Sequence, residues 1–323
     1  MAVALAAIAG QACADKLPRL VLAGPTAAVS FPLIHMAESG ALADIAESVE
    51  FVAWRDPDQL RVLALDGKAD VLAMPTNVAA NLYNRGAPVR LVNVSTWGIL
   101  WLLSRDAEIA TLDDLRGEEI AMPFRADMPD LLFGAISEGL GLDPRSDFKL
   151  RYVATPMDAM QLLIARRVDH ALLAEPAVSM ALRRTQSFPV SVIAPELHRA
   201  VDLQAEWGRA FGRGARIPQA GIAVMGALRA QPQLIAAIEA AYRDSLAWCQ
   251  ADAGACGELV ARHIDMLSAE AVADAVAASP LEAVPAAEAR AELEFLYTTL
   301  MARSPAVVGG RMPDDAFYGA AAQ

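Results

Sequence analysis

The sequence predicts a two-lobed α/β protein, and three observations lead to that prediction. The chain has 323 residues, which is too long for one simple core and suits two α/β lobes. Apolar runs of strand length alternate with segments of helical spacing from residue 17 onward, as in parallel sheets flanked by helices. A base and an acid followed by an apolar run that ends near proline also occur twice, closing at Pro75 and at Pro176.

The first half of the chain shows clear boundary signals. The apolar run 20–23 stops at Gly24-Pro25, and Asp56 followed by Pro57 is typical of an N-cap and the first position of a helix. The predicted elements are strand 20–23, helix 31–38, strand 49–54, helix 57–67, strand 70–74, helix 77–83 and strand 89–94.

The pattern restarts after Arg105. Thr155 and Asp158 have the spacing of a capping box that opens a helix, and 208–214 is predicted to be a surface loop. The remaining predicted elements are strands 119–122, 150–153, 169–174 and 217–225, and helices 129–139, 232–250, 257–266, 269–278 and 286–301.

The composition argues against several classes of protein. The net charge of −12 and the estimated pI of 4.8 disfavour nucleic-acid binding and adsorption to anionic lipid. Lysine is present only at Lys16, Lys68 and Lys149, which leaves few candidates for Schiff-base or P-loop chemistry. The apolar run 92–103 contains polar residues and is short, so it predicts buried strands and not a membrane span.

The N-terminus resembles an export signal. Residues 1–14 carry no charge and end in Ala12-Cys13-Ala14, which fits signal-peptidase cleavage before Asp15 and location in the periplasm. The basic segment that normally starts a signal peptide is missing, so a plain buried N-terminal segment is the alternative. Acylation of Cys13 is a further alternative, although the residues before it match a lipobox poorly.

Two cysteines lie close together in the sequence near the end of a predicted long helix. In an exported protein Cys249 and Cys256 are expected to form a disulfide, because that compartment is oxidising. The alternative is a pair of free, buried thiols.

Residues that would carry catalysis or bind a metal are sparse. The four histidines, His35, His170, His198 and His263, form no close pair at helical or loop spacing. No nucleophile elbow, P-loop or dinucleotide fingerprint is present. We therefore expect no catalytic residue, no metal and no cofactor.

Polar and aromatic residues recur just after the predicted strands. Ligands of open α/β sheets bind outside the carboxyl ends of the strands, where helix N-termini also point. For each polar residue a simple N-cap is an alternative, and each tryptophan could equally belong to the core. The predicted ligand-binding residues are Thr26, Trp54, Asn77, Trp97, Arg125, Asp127 and Glu175.

A family resemblance joins these observations. Residues 111–124, containing Asp114-Leu115-Arg116-Gly117-Glu118-Glu119-Ile120-Ala121, resemble the segment that opens the second lobe in periplasmic solute-binding proteins of ABC importers. The similarity is to the alkanesulfonate, taurine, nitrate and thiamine-pyrimidine-precursor group. Residues 67–75, 168–176 and 216–224 fit the same group, and the resemblance covers roughly residues 17–250.

The resemblance implies the two-lobed periplasmic-binding-protein fold of type II, each lobe a mostly parallel sheet flanked by helices, with C-terminal helices. The two crossings would fall near 103–107 and 217–224. Lobe 1 would then comprise 15–104 with 222–323, and lobe 2 would comprise 105–221. The site residues above carry over as ligand contacts between the lobes.

The same resemblance implies a monomer that delivers a small organic molecule to an ABC permease with its ATPase and catalyses nothing. Trp54, Trp97 and Phe124 favour a flat, apolar solute, aromatic or heterocyclic. Arg125 could pair with a ligand carboxylate or with Asp127. The alternatives are an enzyme on the same fold, of the thiamine-pyrimidine or menaquinone pathway type, and a sensory binding module.

Overall fold

A computed structural model describes residues 16–193 and 196–319. The predicted signal peptide, its cleavage site and Cys13 lie outside these ranges. Within them, no helix combines the length and the apolar character that crossing a bilayer would require.

The strands fall into two sheets. The first sheet has the order β12-β5-β11-β3-β1-β2, with β4 also paired to β11, and the second has the order β10-β6-β9-β7-β8. The strand bounds are β1 Leu20–Pro25, β2 Val49–Trp54, β3 Val71–Pro75, β4 Val89–Leu91, β5 Asn93–Thr96, β6 Leu100–Ser104, β7 Glu119–Pro123, β8 Lys149–Val153, β9 His170–Ala174, β10 His198–Asp202, β11 Ala220–Met225 and β12 Leu281–Pro285.

Helices flank both sheets. The structure also contains short 3-10 turns, at Ala28–Ser30, Asp113–Leu115, Gly226–Ala230 and Pro305–Val308. The α-helix bounds are α1 Phe31–Glu38, α2 Pro57–Leu65, α3 Thr76–Asn84, α4 Met128–Gly139, α5 Pro156–Ile164, α6 Ala177–Gln186, α7 Val190–Ile193, α8 Leu203–Phe211, α9 Pro232–Ala251, α10 Ala253–His263, α11 Ala269–Ala278, α12 Arg290–Arg303 and α13 Asp315–Tyr318.

The two sheets share one core topology, which confirms the repeated unit predicted from the sequence. In the first sheet β1 pairs in parallel with β2 and β3, and antiparallel β11 follows β3. In the second sheet β7 pairs in parallel with β8 and β9, and antiparallel β6 follows β9. The repeated segments form β3 and β9, which occupy equivalent places. The two-lobed α/β architecture is therefore present.

The crossings between sheets lie slightly earlier than the sequence indicates. The prediction placed 100–104 in lobe 1, but Leu100–Ser104 is β6, which pairs with β9 and β10 of the second sheet. The first crossing therefore lies at 97–99. The second lies at 212–219, since Ala220–Met225 already belongs to the first sheet. Both sheets are buried and apolar here, so composition does not indicate which one a strand joins.

Local capping signals are confirmed in detail. The Asp56 carboxylate accepts hydrogen bonds from the N–H groups of Asp58 and Gln59, both at 2.9 Å, and Pro57 follows as the first residue of α2. Thr155 and Asp158 form the reciprocal capping box of α5. Such caps satisfy N–H groups that have no partner within the helix, and each stabilises the helix by about 1 kcal/mol.

Several regions differ from the sequence prediction. The predicted strand 89–94 is divided into β4 and β5, the predicted helix 257–266 lies slightly earlier as α10, and β10 was not predicted. The predicted loop 208–214 begins inside α8, which ends at Phe211 with Gly212 in a left-handed conformation. The predicted helix 286–301 begins later, at Arg290, and residues 281–285 before it form the edge strand β12 beside β5. Alanines 286 and 289 are buried, so their apolar spacing extended the helical pattern beyond the helix.

Helix α12 packs on both lobes. Phe295 lies 5.6 Å from the Trp207 ring and 5.7 Å from the Phe211 ring of α8. Arg303 forms an ion pair with Glu138 of α4 at 2.6 Å. On the opposite side the Tyr297 hydroxyl donates to the carbonyl of Thr76 at 3.0 Å. One hydrophobic cluster thus extends from the first sheet through α12 to α4 and α8.

Cys249 and Cys256 form a disulfide in the structure, with a Cα–Cα distance of 5.0 Å. Both cysteines are fully buried, one at the end of α9 and the other in α10. Reduction, or Cys249→Ala with Cys256→Ala, is expected to lower the free energy of unfolding. The loss should be only roughly 2–3 kcal/mol, because a disulfide that closes a short loop restricts the unfolded chain less than one that closes a long loop. Urea melts with and without reductant measure the change. Equal stability, together with recovery of both cysteines as free thiols, would exclude a disulfide.

Candidate functional site

A cleft with a cavity volume of about 220 Å³ lies between the two lobes. It is bounded by the carboxyl ends of all six parallel strands, since residues at or just after β1, β2, β3, β7, β8 and β9 line it. This is the position at which open α/β sheets bind ligands. The lining residues are Pro25, Thr26, Ala27, Val29, Trp54, Arg55, Pro57, Leu60, Met74, Pro75, Thr96, Ile99, Gln219, Ala220 and Met266 from lobe 1 and the crossings, and Phe124, Asp127, Met128, Pro129, Thr155, Pro156, Met157, Ala174, Glu175 and Ala177 from lobe 2.

Four of the seven predicted ligand-binding residues line this cleft. They are Thr26 and Trp54 from the first lobe and Asp127 and Glu175 from the second. Trp54 is largely buried, and its Nε1 donates to the carbonyl of Ala73 at 3.3 Å. The bond fixes the indole at the cleft wall, where it offers a large apolar surface.

The structure does not bring the other three residues to the cleft. Asn77 is buried in α3 and donates to the Val307 carbonyl at 3.5 Å. Trp97 is 1% exposed, and its Nε1 donates to the Glu282 carbonyl at 2.9 Å. The Arg125 guanidinium lies 5.0 Å from the centre of the Tyr152 ring. Asn77 and Trp97 are therefore held within the fold, whereas Arg125 lies exposed against Tyr152.

Phe124 reaches the cleft from an unusual turn. Phe124 and Ala126 have φ values of 56° and 62°, a left-handed backbone conformation that residues other than glycine rarely adopt. The turn is held by Asp127 N–H to the Phe124 carbonyl at 3.0 Å and Ala126 N–H to the Asp130 carboxylate at 2.7 Å. Strain of this kind costs about 1–3 kcal/mol per residue and is concentrated at functional sites.

Glu175 is a buried carboxylate whose oxygens both have partners. Its Oε1 lies 2.6 Å from the Arg199 guanidinium, and its Oε2 accepts from the Ser179 N–H at 3.1 Å. The side chain is 0% exposed, so the arginine offsets a charge that would otherwise be costly to bury. Glu175 therefore closes the first turn of α6 and lines the cleft as part of an ion pair.

Asp127 is the second buried carboxylate of the cleft. Its side chain is 13% exposed, and Oδ1 accepts from the Met128 N–H at 2.9 Å as the N-cap of α4. Its Oδ2 lies 3.9 Å from a guanidinium nitrogen of Arg61, which belongs to the other lobe. Burial raises the pKa of Asp127, and the Met128 N–H and Arg61 oppose that change.

Neutral polar residues also line the cleft, and two of them are Thr96 and Gln219. The Thr96 side chain is fully buried, and its hydroxyl has no hydrogen-bond partner among the described residues. Gln219 accepts from the Ile99 N–H at 3.2 Å through its side-chain oxygen. Both residues lie beside the crossings between the lobes.

The lobes also touch outside the cavity. Arg183 of α6 forms a paired contact with the Asp274 carboxylate of α11, with one N–O distance of 2.8 Å. This hydrogen bond lowers the pKa of Asp274. A second charged contact is that of Arg61 with Asp127.

The raised pKa of Asp127 leads to a testable stability effect. The folded protein binds a proton at this carboxyl more readily than the unfolded chain does, so the ionised form costs stability at neutral pH. That cost disappears as the pH falls through the raised pKa. Asp127→Asn removes the charge and retains a good N-cap, so its melting temperature should exceed that of the wild type at pH 7.

The advantage of Asp127→Asn should shrink on acidification and vanish below the ordinary carboxyl pKa of 3.8, where both side chains are neutral. Thermal melts across this pH range measure it. Asp44→Asn is the control, since Asp44 is exposed and should change stability little. A lower melting temperature for Asp127→Asn at pH 7 would contradict the expectation.

Sequence reasoning missed most of the apolar lining. Four methionines, Met74, Met128, Met157 and Met266, line the cleft, yet an apolar residue near a strand end has the same signal as a core residue. Gln219 and Thr96 did carry a signal, because both are polar residues within otherwise apolar segments at the predicted crossing and strand end.

Comparison with known proteins places this arrangement in a structural context. No family model and no curated protein matches the sequence. Among solved structures, an ABC transporter protein from Parabacteroides distasonis is similar with a TM-score of 0.73 and 20% identity, over 94% of this chain and 98% of that one. The aliphatic sulphonate-binding protein SsuA from Escherichia coli is similar with a TM-score of 0.67 and 16% identity, over 93% of each chain.

The nitrate-binding protein NrtA from Synechocystis is also similar, with a TM-score of 0.63 and 15% identity, over 80% of this chain and 70% of that one. These identities are low, so the similarity concerns the fold. The chain therefore has the two-lobed fold of the periplasmic binding proteins of ABC importers, as the sequence resemblance implied.

Proposed function

We propose that the protein is the solute-binding component of an ABC importer, which holds a small organic molecule between its lobes and delivers it to a permease. The observation that carries the proposal is the cleft, which both lobes line at the carboxyl ends of six parallel strands. A cavity of about 220 Å³ suits a small molecule. Location in the periplasm and a monomeric state are part of the same proposal.

The chemistry of the lining supports binding over catalysis. Among the described residues that line the cleft there is no histidine, cysteine or lysine, the side chains that most often serve as bases or nucleophiles. The charged groups present are engaged in ion pairs or helix caps, or lie at the exposed edge as Arg55 does. We infer that the bound molecule is released without chemical change.

Lobe closure is the proposed working motion. Arg183 and Asp274 meet across the lobes, as do Arg61 and Asp127, so separation of the lobes would break both contacts. A ligand that contacts both lobes stabilises the closed arrangement, because only in that arrangement are both sets of contacts made. The closed state would then be the one that a permease recognises.

Native mass spectrometry of protein purified without denaturation tests the proposal, because a retained ligand appears as a discrete mass increment. The ligand is then removed by unfolding and refolding, and small-angle scattering is recorded with and without it. We expect a smaller radius of gyration with the ligand present. A retained molecule that is chemically converted would support an enzyme instead. Absence of any retained or rebound small molecule would contradict the binding role.

A further inference from the structure

The charged groups that line the cleft differ in burial. The side chains of Glu175 and Asp127 are 0% and 13% exposed, whereas Arg55 is exposed. Charges interact more strongly in a low-dielectric interior than at the surface, so a buried carboxylate without a close cation has the strongest effect inside the cleft. Arg199 forms a close ion pair with Glu175 at 2.6 Å. Arg61 lies 3.9 Å from Asp127, which is beyond hydrogen-bond distance.

Four of the helix N-termini at this cleft are poorly suited to an anion, whereas the 3-10 turn Ala28–Ser30 begins without a side-chain cap. Anions bind at helix N-termini because unpaired N–H groups point at them. Here the chain's own side chains already accept from the first turns of α2, α4, α5 and α6. Prolines, which lack an N–H group, occupy early positions of three of these helices. The capping residues are Asp56, Asp127, Thr155 and Glu175, and the prolines are Pro57, Pro129 and Pro156.

An independent observation is a buried polar group that a ligand would satisfy. The Thr96 hydroxyl is buried at the cleft and has no partner among the described residues. A buried polar group without a partner is destabilising, and because a hydroxyl both donates and accepts, a ligand N–H group or a ligand oxygen would satisfy it. The rest of the lining is apolar and includes Trp54 and Phe124, whose rings suit a flat body and whose faces attract cations.

We propose that the cleft selects an apolar, ring-bearing molecule with one protonated amine, for which Asp127 is the counter-ion and Thr96 a further hydrogen-bond acceptor. The proposal rests on the proposed function, since it names the class of solute for the same cleft. In it the Asp127 Oδ1 keeps its bond to Met128, and Oδ2 faces the ammonium group. The amine thereby takes the place of Arg61 as the nearer cation.

The test uses sets of probes that share a ring and differ in charge. Phenethylamine, phenethyl alcohol and hydrocinnamate form one set, and tryptamine, tryptophol and indoleacetate form another. Their affinities are measured by calorimetry with refolded, ligand-free protein, up to about 10 mM probe. At least one amine should bind about tenfold or more tightly than its alcohol, and the carboxylate should bind most weakly.

Asp127→Asn keeps the shape and the cap, so it should weaken amine binding about 10- to 100-fold and change alcohol binding little. Thr96→Val should weaken amine binding while raising the melting temperature of the free protein, since it removes the unpartnered hydroxyl. Asp44→Asn removes an exposed carboxylate that does not line the cleft and should leave all affinities unchanged.

Three results would overturn this inference. They are a carboxylate that binds more tightly than its amine, an Asp127→Asn variant that binds amines as the wild type does, and no amine binding on either ring. Each leaves the proposed function standing, because retention of a native solute and its effect on the radius of gyration are measured separately on unmodified protein.

Discussion

Trp97→Ala is expected to lower the free energy of unfolding by about 3–5 kcal/mol and to leave ligand affinity almost unchanged. The indole is 1% exposed, donates to the Glu282 carbonyl, and carries the Arg216 guanidinium over its ring at 4.0 Å. Its removal would leave a large cavity beside the first crossing and free a carbonyl of β12.

Urea-induced unfolding followed by far-ultraviolet circular dichroism measures this loss. Trp97→Phe is the matched control, since it keeps a ring under Arg216 and should cost less than the alanine variant. Calorimetry with the molecule recovered by native mass spectrometry, at a temperature where the variant is folded, gives the affinity. Stability close to wild type combined with a large loss of affinity would place Trp97 in the binding surface.

Trp54→Ala has the opposite profile, with an expected loss of binding free energy of about 1.5–3 kcal/mol, or roughly 10- to 150-fold in Kd. Trp54 is the largest apolar side chain that lines the cleft, so its removal deletes both buried area and a stacking surface. Some stability is also lost, because the ring belongs to the main hydrophobic cluster.

Calorimetry with the recovered ligand measures the change for Trp54→Ala and for Trp54→Phe, which should retain part of the affinity. Comparison with Trp97→Ala separates the effect of the cleft from a general weakening of the fold. If Trp54→Ala binds as tightly as the wild type, ligand must lie elsewhere in the cavity or outside it.

Features that depend on neighbouring residues were predictable from the sequence. The cap at Asp56 and the capping box at Thr155 are satisfied within a few residues, so their patterns determine their structure. The alternation of strands and helices gave the fold class for the same reason. The sheet that Leu100–Ser104 joins depends on partners some seventy to one hundred residues away, β9 and β10, which local sequence does not encode.

The tryptophans show the same limit at the site. Trp54 ends β2 and Trp97 follows β5, so both satisfy the rule that places ligands at strand ends. Thr96 does line the cleft, yet the next side chain turns toward β12, an edge strand that was not predicted from the sequence. Without β12 in place, nothing in the sequence separates a structural tryptophan from one that faces a ligand.

The order of strands along the chain has a consequence for how the protein folds during synthesis. All strands of the second sheet lie between residues 100 and 202, so that lobe is complete as one continuous stretch of chain. The first sheet cannot close until β11 emerges, because this strand joins β3 to β4 and β5 in its middle. Pairing across such a separation is slow. The inserted lobe should therefore acquire structure first, and the lobe formed by the two outer parts of the chain should govern the overall rate of maturation.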